Sequence, residues 1–419
     1  MRILFINNYF SPCSYGWGYR QLCEEVIDGL VARGHQIAVL TSTELHGAEV
    51  KRPFPIHRLL QIEPDWDNGR SAMTQFFFGR RQREQEAVAH LQQLVAEFQP
   101  EFIFAWHTIG IPRLVLQEAQ RLVNGRIAFY FADYQPEISD EYIAYWRGKP
   151  TNSVARAIKQ PLATMALNML AKEGKPIPIK YENVACVSGY VRDRLVSKRL
   201  VSEQAIVIHN GVNLEQFARV NGRSNHEIDS IHCLVAGRLD RIKGVHTVVE
   251  GLGRLTQKQP NHKLHLTILG DGPAEYIQLL HQKVAEYKLE AIVQFMQPVS
   301  RSEMPDILNQ HDILILASEY DEPLARASQE AMAMGLMVIG TTTGGSGELL
   351  IHEQTGLAFD AGNADSLMAQ FERILDEPEL LAELAQAGYQ VMLDHFNMDR
   401  MVNEVESYLQ QLIGKREAV

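Results

Sequence analysis

The sequence predicts an α/β fold made of two doubly wound parallel-sheet domains, and three observations carry that prediction. Short apolar runs of strand length alternate with amphipathic helical stretches along the chain. The first forty residues read as strand, glycine-containing loop, amphipathic helix and strand, a βαβ unit whose crossover makes its strands parallel. The same alternation restarts after a polar segment at 210–230. With 419 residues, the chain is longer than one core of about 100–200 residues requires. The predicted divisions are 1–205, 206–385, and a tail of amphipathic helices at 386–419 packing across the domains.

In the first half the predicted strands are 2–7, 36–41, 102–106, 126–131 and 184–188. Leu22, Val26, Leu30 and Val31 recur at helical spacing within 19–33, and Gly34 supplies the stop before the next apolar run. Helical stretches at 81–98 and 113–123 separate the later strands. In the second half, strands at 231–236, 264–269, 293–296, 313–316 and 337–340 are each followed by a helical segment. Open sheets of this kind bind ligands beyond the carboxyl ends of their strands, so a cleft there is where chemistry is expected.

Composition narrows the function. Hydrophobic residues make up 46% and charged residues 22%, which excludes disordered, collagen-like and disulfide-scaffold classes. No apolar run approaches the roughly 18 residues that span a bilayer, and MRILFINNYF lacks the apolar region of a signal peptide, so a cytoplasmic protein is expected. Cys13, Cys23, Cys186 and Cys233 have no metal-ligand spacing. The formal charge of -11 argues against nucleic acid as a partner. Its distribution is uneven: residues 1–200 hold 24 Lys+Arg and 20 Asp+Glu, the remainder 16 and 31.

The strongest local signal runs from Asp312 to Glu348, as strand, loop EYDE, helix PLARASQEAMAM, Gly335, strand and glycine-rich loop TTTGGSGE. Pro323 suits a first helical turn, because its missing N–H would be unpaired there. Glu322 and Glu330 bracket this helix, and carboxylates grip sugar hydroxyls well. The helix N-terminus favours anionic groups, and Gly344 and Gly345 permit a loop whose N–H groups face an oxyanion. Upstream, GRLDRIKG places Arg238 and Lys243 on a loop. Two such cations suit a diphosphate, the one a planar fork and the other a point charge; taken alone they read as a solvated basic turn, and their occurrence together with the glutamate segment favours the diphosphate.

Taken together, SPCSYGWG, RGHQIAVLTS, VACVSGYVRDRL, IHNGVNLEQF, AGRLDRIKGV, LGDGP, EPLARASQEAMAMG and GGSGELLIHEQTGLAF make the chain resemble the family 4 retaining glycosyltransferases of GT-B fold, two Rossmann-like domains facing a cleft. The resemblance implies a nucleotide-diphosphate-sugar donor in the C-terminal half, with Arg238 and Lys243 on the diphosphate, Glu330 on the ribose and Glu322 on the transferred sugar. It implies a saccharide or lipid-linked acceptor entering through the N-terminal half, in cell-surface polysaccharide or glycolipid synthesis. His107 and Asp133 fall where relatives keep a histidine beside the reacting sugar and a polar cleft residue; taken alone they read as a structural hydrogen bonder and a cap or turn. Gly16 and Gly18 flank Trp17 where relatives have a Gly-Gly pair, and Ala325 replaces a usual glycine. Those departures keep three alternatives: a sugar phosphorylase, an epimerase, or a non-catalytic nucleotide-sugar binding subunit.

No cofactor beyond the donor substrate, and no metal, is expected. Asp65-Trp66-Asp67 fits a metal-binding DxD pattern, but it follows Glu63-Pro64 rather than a strand and reads as a surface loop. Residues 147–180 hold seven cations against Glu173 alone, interleaved with apolar residues. That mixture predicts either a solvated basic face or an interfacial helix, peripheral at an anionic inner membrane face.

Overall fold

The computed structural model describes residues 1–13, 15–64, 69–149, 153–219 and 230–417. It divides into two compact units, the first comprising Met1–Val187, Val191–Ile208 and Val402–Val419, the second Ser188–Tyr190 and His209–Met401.

The strands of the first unit are β1 (Arg2–Ile6), β2 (Gln36–Ser42), β3 (Ile56–Leu60), β4 (Phe102–Ala105), β5 (Ile127–Phe131), β6 (Val184–Cys186) and β7 (Ile206–Val207). They form one parallel sheet in the order β3-β2-β1-β4-β5-β6-β7. Both faces are covered, so β4 (FIFA) and β5 (IAFYF) are buried at every position and read as continuous apolar runs. Strand order reverses between β1 and β4, which fixes the topological switch point.

The helices along this part of the chain are α1 (Trp17–Ala32), α2 (Gly69–Phe77), α3 (Arg80–Phe98), α4 (Arg113–Leu122), α5 (Glu141–Arg147), α6 (Ser153–Lys172) and α7 (Gly189–Ser197). α1 closes with the Arg33 and Gly34 N–H groups on the Leu30 and Val31 carbonyls. Phe76, Tyr142, Trp146, Ala166 and Leu170 form a separate apolar cluster joining α2, α5 and α6.

The second unit holds β8 (Ile231–Ala236), β9 (Leu264–Leu269), β10 (Val293–Met296), β11 (Ile313–Leu316), β12 (Met337–Gly340) and β13 (Leu357–Ala358), parallel in the order β10-β9-β8-β11-β12-β13. Its switch point lies between β8 and β11. The remaining helices of the chain are α8 (Val245–Lys258), α9 (Ala274–Glu286), α10 (Met304–Asn309), α11 (Arg326–Ala333), α12 (Ala364–Asp376), α13 (Pro378–His395) and α14 (Met398–Glu417). α8 is amphipathic as its spacing requires, burying Val245, Val248, Val249, Leu252 and Leu255 in the core under the sheet. Among the described residues, no helix is long and apolar enough to cross a membrane.

One helix starts later than its sequence signals: α11 begins at Arg326, not at Pro323. The Gly345 N–H donates to the Glu322 carbonyl at 2.7 Å, and the Ser188 hydroxyl donates to the Pro323 carbonyl at 2.7 Å. Those two carbonyls are thereby taken from the helical ladder, and the turn stays open.

Candidate functional site

In the second unit, the chemistry-bearing residues gather where β11 and β12 end. β11 runs out into Ser318, Glu319, Tyr320, Asp321 and Glu322 before α11 begins. Glu322 is nearly buried, and its Oε2 accepts two hydrogen bonds, from Lys243 Nζ at 2.8 Å and from the buried Ser318 hydroxyl at 2.7 Å. Lys243 Nζ also donates to the Tyr320 hydroxyl at 3.2 Å. A nearly buried carboxylate oxygen that meets an ammonium and a hydroxyl together is held in one orientation.

Local backbone explains how Lys243 reaches it. Gly244 has φ +64, and a Cβ there would overlap the Ala317 carbonyl oxygen. Only glycine lets the tight turn Arg241–Lys243 press against the end of β11, and that approach delivers the ammonium to Glu322.

Gly344 and Gly345 form the other wall. A Cβ at Gly344 would overlap the Glu322 carbonyl and one at Gly345 the Pro323 carbonyl, so the loop lies directly on the Glu322–Pro323 backbone. Gly345 spends its N–H on the Glu322 carbonyl at 2.7 Å. Of the pair predicted to face an oxyanion, Gly345 is therefore a structural clamp.

Glu330 lies within α11 and is held by Arg301 at 2.6 Å and by Arg326 at 3.7 Å, with the Arg301 guanidinium stacked 5.0 Å over the Phe217 ring. Arg238 is different: its side chain is largely exposed and pairs with Asp240 on its own loop at 3.4 Å. Lys243 and Glu322 are thus in direct contact, Glu330 has its own arginine partners, and Arg238 reaches toward solvent.

A further carboxylate, Glu348, accepts from the Gly189 and Tyr190 N–H groups at 3.0 and 2.9 Å and bonds His209 Nε2 at 2.8 Å. Burial pushes its acidity down, but His209 and the two N–H groups outweigh that and hold its pKa below the usual carboxylate value. Arg301, Ser318, His209 and Glu348 were not singled out in the sequence. Glu348 closes the GGSGE segment, whereas Arg301 sits in VSRSE, which carries no motif.

In the first unit, Gly16 caps the start of α1 in the left-handed region at φ +79, and Gly18 lies in the first turn of that helix. His107 and Asp133, 26 positions apart, meet: His107 Nε2 lies 3.5 Å from Asp133 Oδ2. Tyr19 packs edge-on against the imidazole at 4.4 Å, with its hydroxyl donating to the Tyr130 carbonyl at 2.6 Å. Burial drives the Tyr19 pKa well up, so that hydroxyl stays protonated. Asp133 Oδ1 also accepts from the Gln135 N–H at 2.8 Å, the turn role its residue type implied.

Asp65-Trp66-Asp67 lies outside the described residues. Among the described residues, no group of three or more His, Cys, Asp and Glu side chains is arranged to hold a metal ion. In the basic stretch, Lys159 is buried on the Tyr145 and Gly148 carbonyls, and Lys175 is bound to Glu84. Arg147, Lys149, Arg156 and Lys172 are exposed, beside half-exposed Ile158 and Met165.

Comparison with known proteins points the same way. The chain is similar to a glycosyltransferase of Bacillus subtilis, YtcC, described as putative in its name, with 25% identity over 259 residues, 58% of this chain and 63% of that one. It is 30% identical over 183 residues to the D-inositol 3-phosphate glycosyltransferase of Pseudarthrobacter chlorophenolicus, 42% of this chain and 43% of the relative. The chain thus spans about half the length of the curated relatives it matches. Anabaena HepE, solved in complex with UDP and glucose, superposes with a TM-score of 0.68 at 17% identity, over 98% of this chain and 99% of that one. That likeness shows the fold, two Rossmann-like domains of the GT-B class. Residues 221–391, which carry Arg238, Lys243, Glu322, Glu330, Gly344 and Gly345, match the family described as glycosyl transferases group 1.

Proposed function

We propose that this protein is a glycosyltransferase that moves a sugar from a nucleotide-diphosphate-sugar donor to an acceptor hydroxyl, with retention of anomeric configuration and without a metal. The observation that carries the reading is the contact of Lys243 with nearly buried Glu322 at 2.8 Å, beside the end of β11. A fixed ammonium next to a fixed carboxylate suits a ligand that is anionic at one end and rich in hydroxyls at the other.

In this reading the acceptor oxygen forms its bond to the anomeric carbon as the bond to the diphosphate breaks. The electron pair leaves with the diphosphate, which takes the acceptor proton. Lys243, joined by Arg238 from its exposed loop, stabilises the charge that gathers there; donors pre-aimed at developing charge are worth about 3–4 kcal/mol each. Glu322 orients the transferred sugar, and Glu330, fixed by Arg301, holds the ribose. Gly344 and Gly345 shape the wall beside Glu322. On the acceptor side His107 is the catalytic candidate, with Asp133, Gly16 and Gly18 lining the binding site. No nucleophile is assigned.

The acceptor is a saccharide or a lipid-linked saccharide of cell-surface polysaccharide or glycolipid synthesis. The cytoplasmic protein works peripherally at an anionic membrane, through Ile158 and Met165 on α6 and the exposed cations beside them, each cation worth about 1 kcal/mol near such a surface. Liposomes containing anionic lipid should sediment it at low salt, and failure to do so removes the membrane from the reading.

A thermal-shift panel of UDP-, ADP-, GDP- and dTDP-sugars tests the function itself. A donor at 100 times its Kd adds about 2.7 kcal/mol, roughly 5–10 °C for a unit of this size. Release of free nucleotide diphosphate on adding acceptor completes the demonstration. A panel without any shift refutes the reading, and a demand for inorganic phosphate with a sugar 1-phosphate product replaces it with a phosphorylase.

A further inference from the structure

The backbone of His107 departs from the pattern that β4 sets. The Ile103 N–H donates to the Arg126 carbonyl at 2.9 Å, so Ile103, Ala105 and, by the two-residue repeat of a strand, His107 are the positions whose peptide groups belong to β5. The Trp106 N–H donates to the Ile6 carbonyl at 2.9 Å, so the intervening positions belong to β1. Carried one step further, the ladder between β4 and β5 would place the His107 N–H on the Tyr130 carbonyl and the Ala132 N–H on the His107 carbonyl. Instead, the His107 N–H donates to Asn7 Oδ1 at 3.2 Å, and the His107 carbonyl accepts from the Asn8 N–H at 2.7 Å. Both bonds are on the β1 side.

A side chain takes the place that His107 leaves in the ladder. The Tyr19 hydroxyl, from the first turn of α1, donates to the Tyr130 carbonyl at 2.6 Å and accepts from the Ala132 N–H at 2.9 Å, the two groups that His107 would have met. It also lies 3.3 Å from the Trp106 carbonyl. One phenol thus supplies both the donor and the acceptor of a strand residue. The Tyr19 ring packs edge-on against the imidazole at 4.4 Å. Little else orients that imidazole: its Nδ1 is buried without a hydrogen-bond partner, and Asp133 Oδ2 stands 3.5 Å from its Nε2. Its direction is therefore set by its own backbone and by the phenol.

We infer that Tyr19 is a positioning residue for His107: its hydroxyl occupies the ladder between the ends of β4 and β5, keeps the His107 peptide groups turned to β1, and so fixes the imidazole in the direction that sugar transfer uses. This rests on the glycosyltransferase reading and on the part given to His107 within it. Tyr19 itself touches no reacting atom in this assignment and acts only through the imidazole.

Tyr19→Phe tests it, since the variant keeps the ring edge and returns the Tyr130 carbonyl and the Ala132 N–H to the His107 backbone. Two measurements on the full chain are read together: NMR of isotope-labelled histidine, with the His107 imidazole signal assigned by its loss in His107→Ala, and steady-state rates taken where the melting curve shows the variant fully folded. The inference expects the His107 signal to shift and kcat to fall about 10–100-fold, the cost of a small misplacement, with donor Kd unchanged. A role confined to stability lowers Tm and moves neither. An unshifted His107 signal overturns the inference whatever the rate. Should Tyr19→Phe fail to fold, Asn7→Ala, which takes the acceptor from the His107 N–H, is read in the same way. His107→Ala separates the two failures: wild-type kcat there sinks the part given to His107 in the reading beneath, whereas a lost kcat there beside wild-type kcat in Tyr19→Phe sinks the positioning alone.

Discussion

Removing Lys243 should damage stability and turnover for separable reasons. At 2.8 Å, and with an effective dielectric of about 20, the gross attraction between Lys243 and Glu322 is about 6 kcal/mol. Most of that is offset by desolvation. The side chains are 27% and 10% exposed, so the about 3–5 kcal/mol typical of breaking a fully buried pair falls to about 2–3 kcal/mol. For a unit of this size that lowers Tm by roughly 5–10 °C. The loss arises because Glu322 is left nearly buried with only the Ser318 hydroxyl on its Oε2. Adding Glu322→Gln in the Lys243→Ala background removes the stranded charge and should restore most of the Tm. Turnover should not recover: kcat falls about 10²–10³-fold in the single variant and stays low in the double variant. Melting curves and steady-state rates on the four proteins of the cycle decide the matter. A double variant no more stable than Lys243→Ala refutes the pairing argument, and wild-type kcat in Lys243→Ala refutes the diphosphate role.

Gly345→Ala should destabilise the second unit by about 2–3 kcal/mol or more, because its Cβ would overlap the Pro323 carbonyl; urea melts measure it, and a loss below 0.5 kcal/mol would contradict the clamp. Glu330→Ala should weaken nucleotide binding about tenfold by calorimetry while leaving the fold intact, and unchanged affinity would remove Glu330 from the ribose. The depressed pKa of Glu348 makes a signed prediction. Its contribution is full above the unfolded value of about 4.5 and is lost as pH falls through the lower folded value. Glu348→Gln should therefore flatten the fall of Tm between about pH 5 and 3, and an unaltered slope would show that the His209 contact carries no such linkage.

The sheets were legible because strands covered on both faces must be apolar at every position, as β5 and β12 are. β3 was missed since it is only half buried and carries His57 and Arg58 among its apolar residues, and β7 and β13 are two residues long. The start of α11 misled because Pro323 is a genuine helix signal, overridden by bonds from Gly345 and Ser188, distant in sequence. The Lys243 and Glu322 motifs were readable separately. Their contact depends on β8 and β11 being neighbours, an adjacency no local pattern records.

The way the polypeptide is shared between its two units has a practical consequence for dissection. Ser188–Tyr190 belongs with His209–Met401, and Val402–Val419 belongs with the opening stretch. A fragment begun at His209 would lose the N–H groups of Gly189 and Tyr190 that seat Glu348. A fragment stopped at Ile208 would lose Val402, which packs on Gly29, and Glu406, which binds Arg33 and His35. Neither cut yields a complete body. Chimaeras that exchange one lobe with a relative must therefore transplant discontinuous pieces, including the tripeptide and the closing helix, rather than splice at a single junction.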